Sequence, residues 1–80
     1  MRQLRLYHRQ GCHLCEEMLK QLEPYQRSGR LELELIDVDR TDIDLSVYWS
    51  RIPLLETPQG DCLNEYFLDE DALLSYLDGG

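Results

Sequence analysis

Two cysteines, Cys12 and Cys15, stand two residues apart, between a short apolar run and the start of a helical pattern. No other feature of the chain constrains its fold as tightly. A side chain at a helix start faces unpaired backbone N–H groups and the positive end of the helix dipole. Both favour the thiolate, the reactive form of cysteine. Cys15 lies one turn further on, where the Cβ atoms of a regular helix sit about 5–6 Å apart. A disulfide requires about 3.5–4.5 Å. The pair can therefore close only if the first turn adjusts, which is easiest with Cys12 half outside the helix. The spacing predicts a strand, a sharp turn and a helix whose mouth carries a reversible dithiol–disulfide pair.

The flanking residues fit this frame. Leu4 to Tyr7 reads as a short strand, and Arg9-Gln10-Gly11 as the turn that exposes Cys12. Cys15, Met18, Leu19, Leu22 and Tyr25 or Gln26 recur at helical spacing, with Glu16 and Glu17 suited to the first turn. Pro24 lacks an N–H, so the helix is expected to kink or stop around it, before the turn at Ser28-Gly29. Leu31-Glu32-Leu33-Glu34-Leu35 alternates as a half-buried strand does, and the phase then switches to Ile36 and Val38. Parallel strands are usually buried on both sides, so coverage of both faces is expected in this second half.

Thr41-Asp42-Ile43-Asp44 has the form of a capping box, opening a short helix with Leu45, Tyr48 and Trp49 on its inner face. Ile52-Pro53-Leu54-Leu55 is the next apolar run. Thr57-Pro58-Gln59-Gly60 fits a type I turn, Cys62 to Phe67 its partner strand, and Asp69 caps a last helix that runs to Leu77. The order is βαβαββα. It predicts an α/β, thioredoxin-like fold with a four-stranded mixed sheet flanked by three helices, the first helix on one sheet face and the acidic segment's helix on the other.

Eighty residues make one domain, 1–80, without room for a second core. At this size a single core leaves about 3–5 kcal/mol of stability. One close cysteine pair plus the distant Cys62 suits a reducing compartment better than a disulfide framework does. No signal-peptide pattern opens the chain, and no apolar stretch approaches the roughly 20 residues of a membrane span. A cytoplasmic monomer without membrane contact is expected. The formal charge of −8 argues against nucleic acid and favours partners with a basic patch.

The stretch Leu6-Tyr7-His8-Arg9-Gln10-Gly11-Cys12-His13-Leu14-Cys15-Glu16-Glu17, together with Tyr48-Trp49-Ser50-Arg51-Ile52-Pro53-Leu54-Leu55, resembles the small bacterial glutaredoxin-like proteins of the thioredoxin superfamily. The resemblance spans nearly the whole chain. It implies a thiol–disulfide oxidoreductase in which Cys12 attacks and Cys15 resolves. It also implies a cis Ile52–Pro53 peptide beside the cysteines, where the Ile52 backbone would pair with an extended substrate segment. Arg9, three residues before Cys12, occupies the place where glutaredoxins often put a lysine that meets the glutathione carboxylate. The implied partners are a protein disulfide or a glutathione mixed disulfide, and a reductase. No tightly bound cofactor is implied. Glutaredoxins proper hold glutathione with a glycine pair and an aspartate between the last strand and last helix. Here that region reads Tyr66-Phe67-Leu68-Asp69-Glu70-Asp71, without glycine, which argues against glutathione as the co-substrate. The proline often found between the two cysteines is also replaced, by His13-Leu14.

Other chemistries are weaker. A thioredoxin-fold binding module without turnover would keep the fold and lose the reaction. Metal binding through Cys12, Cys15 and His13 or His8 lacks a fourth ligand. His13 is either a tuner of the thiolate or a solvated neighbour, and His8 ends a strand. Cys62 is expected to be core filler or an inert thiol, and Tyr48 and Trp49 packing residues that could rim a substrate groove.

Overall fold

The computed structural model describes residues 2–40 and 46–79. The chain runs through β1 (Arg2–His8), α1 (His13–Arg27), β2 (Leu31–Asp37), a single 3₁₀ turn (Ser46–Tyr48), β3 (Leu54–Glu56), β4 (Cys62–Glu65) and α2 (Glu70–Leu77). The four strands form one mixed sheet in the order β2-β1-β3-β4. β1 and β2 are parallel, with Arg2 opposite Leu31 and His8 opposite Asp37. β3 runs antiparallel to both β1 and β4. This is the predicted thioredoxin-like arrangement. The predicted capping box and Leu45 lie outside the described residues, and the part of that helix which is described is the 3₁₀ turn.

Alternation along β1 divides the core in two. Leu4 and Leu6 point to one sheet face, where they meet Met18 and Leu22 of α1, Leu31 of β2, Leu55 of β3 and Leu73 of α2. Tyr7 points to the other, packing with Val38, Ile52, Leu54 and Cys15. Tyr48 covers this second cluster by stacking on Tyr7, with ring centroids 4.2 Å apart and planes 8° from parallel. Each fully buried leucine of the first cluster contributes roughly 1.5–3 kcal/mol relative to exposure.

Local chemistry fixes the helix ends. α1 closes in a Schellman motif: Gly29, at φ +78°, donates to the Gln26 carbonyl and Arg30 to that of Tyr25. The Asp69 carboxylate caps α2 by accepting from the Ala72 N–H at 3.2 Å.

Three boundaries depart from the sequence reading. Pro24 neither stops nor ends α1, which continues to Arg27. The proline lies on the exposed side of the helix's last turns, where one missing backbone bond is tolerated. β2 is an edge strand, and it is covered on one face only along its second half. Ile36 and Val38 pack into the second cluster, but Leu35 is 50% exposed. β4 stops at Glu65 because Tyr66 takes φ +65°, a left-handed conformation that no strand continues. The Thr57 turn forms as expected, with the Gly60 N–H donating to the Thr57 carbonyl at 2.9 Å.

Candidate active site

The turn after β1 brings the chain back on itself at Gly11, whose φ of +81° suits glycine. The Cys12 N–H donates to the Arg9 carbonyl at 3.3 Å and closes that turn. Cys12 is the N-cap of α1, with extended backbone angles of φ −84° and ψ 108°. Its carbonyl accepts the first intrahelical bond, from Glu16 N–H at 3.1 Å, while its Sγ accepts from the Cys15 N–H, also at 3.1 Å. Cys12 is therefore half outside the helix, the adjustment that the spacing of the pair demands. The two cysteines are joined in a disulfide, with Cα atoms 5.2 Å apart.

The two sulfurs stand in different surroundings. Cys15 is only 4% exposed and packs into the second core cluster with Ile52 and Leu54. Cys12 lies at the edge of that cluster and is partly open to solvent. The Ile52–Pro53 peptide is cis, and Pro53 is fully buried. The loop that enters β3 thus packs against the disulfide from the Tyr7 side of the sheet. On the other flank of Cys15 is a cavity of about 260 Å³, floored by Leu6, Leu19 and Leu35 and edged by His8, Arg9 and Arg40.

Arg9 is beside the pair, yet its guanidinium is occupied. Nε and Nη2 donate to the two carboxylate oxygens of Asp39 at 3.0 and 3.1 Å. The guanidinium also lies over the Trp49 ring, 5.8 Å from its centroid. Trp49 is 50% exposed, which corrects the expectation that it packs in the interior. His13 projects into solvent on the first turn of α1, with Nε2 3.8 Å from Glu17.

Sequence reasoning missed Asp39, and it missed a buried carboxylate behind the site. Glu56 is 7% exposed. Its Oε1 accepts from the Tyr7 hydroxyl at 2.8 Å and its Oε2 from the Tyr48 hydroxyl at 3.3 Å, with Arg5 Nη1 at 3.8 Å. Burial, and then the hydrogen bond to Glu56, push the Tyr7 phenol up from its ordinary value. The parallel register could have located Asp39, since it sets Arg9 just beyond His8 and Asp39 just beyond Asp37.

Cys62 is exposed on β4, which corrects the expectation of core filler. It is not at the site. Its Sγ lies 3.8 Å from Glu65, which Arg51 grips at 2.7 and 3.1 Å. Partial burial, followed by Glu65, raises the Cys62 thiol and keeps it protonated. Among the described residues, no three His, Cys, Asp or Glu side chains are grouped to share a metal ion. No helix among them is long and apolar enough to cross a membrane.

Residues 3–78 match the family model described as a glutaredoxin-like domain (DUF836). The chain belongs to this glutaredoxin-like family. Among solved structures, it is similar to protein Ne2328 from Nitrosomonas europaea, at 39% identity over 94% of this chain and 89% of that one, with a TM-score of 0.76. It is also similar to protein XcR50 from X. campestris. The X-ray structure of XcR50 matches at 30% identity, 96% and 97% coverage and a TM-score of 0.71. Its solution structure matches at 30% identity, 100% and 96% coverage and a TM-score of 0.68. No curated protein matches. The glutaredoxin-like fold here carries a disulfide-forming, redox-active cysteine pair. In the region where glutaredoxins proper have their glycine pair, this member has Tyr66, with its hydroxyl bonded to the Ser50 carbonyl, and a 71% exposed Phe67.

Proposed function

We propose that this protein is a thiol–disulfide oxidoreductase in which Cys12 is the attacking thiol and Cys15 the resolving one. The observation that carries the reading is the asymmetry of the pair: one sulfur is an accessible helix cap and the other is buried against the Ile52 loop. In the reduced protein, the Cys12 thiolate attacks one sulfur of a substrate disulfide. The other substrate sulfur leaves as a thiolate and takes a proton. The Cys15 thiolate then attacks the Cys12 sulfur, the second substrate thiol departs, and the Cys12–Cys15 disulfide remains. An external thiol or reductase returns two electrons and two protons to complete the cycle. The Cys15 N–H that caps Cys12 Sγ can serve its thiolate equally well.

The substrate is a protein disulfide carried on an extended segment. Ile52 and Pro53 would form the wall along which that segment pairs, His13 its outer edge, and Arg9 the flank. No turn, loop or cap hydrogen bond among the described residues uses the Ile52 backbone, which supports that role. One close cysteine pair in a single 1–80 domain suits a reducing, cytoplasmic setting.

A second reading, a binding module without turnover, is favoured by Tyr66 and Phe67 replacing the glycine pair. Reduction of a protein disulfide, with dithiothreitol as electron source, separates the two. Wild type is expected to accelerate the reaction and Cys12→Ser to abolish the acceleration. Activity undiminished in Cys12→Ser would remove Cys12 from its role. A wild type that binds the substrate without turnover would leave the binding module.

A further inference from the structure

The basic side chains near the disulfide are already matched. Among the described residues, Arg9 is clasped by Asp39, Arg40 lies 3.9 Å from Asp37, and His13 is 3.8 Å from Glu17. The Arg9 pair differs from the rest in geometry. It is a two-point clasp that takes up the Nε–Nη2 edge of the guanidinium, one of its two edges able to grip a carboxylate, and offsets its charge, while Trp49 covers one face. Asp39 is itself held in place, its N–H donating to Asp37 Oδ1 at 2.9 Å. The turn at the end of β2 therefore presents a carboxylate to Arg9 as part of the fold.

We infer that Asp39 is a specificity-determining residue that occupies the Arg9 guanidinium and thereby selects against disulfides bearing carboxylates beside the reacting sulfur, glutathione disulfide among them. An anionic substrate must displace Asp39 from the Nε–Nη2 edge of Arg9 or share a guanidinium whose charge Asp39 already offsets. Until it does, it meets a chain of net charge −8. A disulfide whose flanking groups are neutral or basic meets no such competition. This inference rests on Cys12 being the attacking thiol, and it adds the class of disulfide that Cys12 accepts.

The test isolates the first exchange step, in which Cys12 becomes joined to one glutathione and the other leaves as a thiol. In the Cys15→Ser protein that adduct persists, so its rate of formation is read by mass spectrometry without any turnover. Glutathione disulfide is compared with its tetraethyl ester, which has the same reacting sulfurs and no carboxylates. The acid-to-ester rate ratio within one variant cancels any loss of folded protein. Asp39→Asn, added to the Cys15→Ser background, is expected to raise the ratio about three- to fivefold, the scale of one exposed ion pair. Asp39→Ala should do the same. Adding Arg9→Gln should return the ratio to its starting value.

A ratio unmoved by either Asp39 substitution would overturn the inference. So would a rise that persists without Arg9, since Arg9 would then not be the group that Asp39 occupies. An equal rise on neutralising another exposed carboxylate, Glu17→Gln, would overturn it too, since that would be long-range charge alone. Failure of the underlying reading looks different: no adduct would form on Cys12 with either disulfide.

Discussion

At the scale of single residues, the site depends on groups whose burial and bonding leave them one arrangement. Cys12 is held as a cap by three backbone contacts: its own N–H to Arg9, its carbonyl to Glu16, and its sulfur to the Cys15 N–H. Behind it, Glu56 is a carboxylate removed from water, and two tyrosine hydroxyls and Arg5 compensate for that burial. Tyr7→Phe keeps the ring stacked on Tyr48 and removes the 2.8 Å bond. A hydrogen bond to a charged group contributes about 1.5–3 kcal/mol, so this variant should lose stability on that scale in urea denaturation. A loss indistinguishable from zero would mean that water or Tyr48 alone satisfies Glu56.

At the scale of elements, helix ends and strand edges decide how the site is presented. Gly29 ends α1 at φ +78° with open space where a Cβ would go, nothing lying within 4 Å. Gly29→Ala therefore meets a backbone penalty and no clash, about 1–2 kcal/mol, measurable as a lowered urea midpoint with unchanged reactivity of Cys12. Much of this scale was legible in the sequence. The stripe Cys15, Met18, Leu22 is the buried face of α1, and Asp69 and Gly29 stand at the caps that their chemistry favours. The missed features are ones that local pattern does not encode. Alternation in Leu31 to Leu35 says that one face of β2 is apolar, but not that β2 lies at the sheet edge, where Leu35 is left half exposed. The contact of Arg9 with Asp39 spans thirty residues of sequence and follows from the β1–β2 register, a non-local property. Pro24 is a helix breaker by rule, yet an exposed position near the end of α1 tolerates it.

At the scale of the whole molecule, the net charge of −8 and the paired cations set how the protein responds to pH. Arg51 holds the Glu65 carboxyl below its usual range, chiefly through their hydrogen bond. A carboxyl depressed in the folded state contributes stability that is present above its unfolded value, about 4.3, and is lost as pH falls through the folded value. The urea midpoint of wild type should therefore fall on acidification below about pH 4.3, and Glu65→Gln should make that acid-side fall shallower. Identical slopes would show the pair to be without effect, as many exposed pairs are.

The central claim, that a partly exposed Cys12 attacks and a buried Cys15 resolves, is tested most directly by trapping. Cys15→Ser and Cys12→Ser proteins are each reduced, exposed to a protein disulfide, and mapped by mass spectrometry for the cysteine that retains substrate. The arrangement described here predicts a persistent mixed disulfide on Cys12 in the first variant and none on Cys15 in the second. A stable adduct on Cys15 in the second, with Cys12 unmodified in the first, would contradict it.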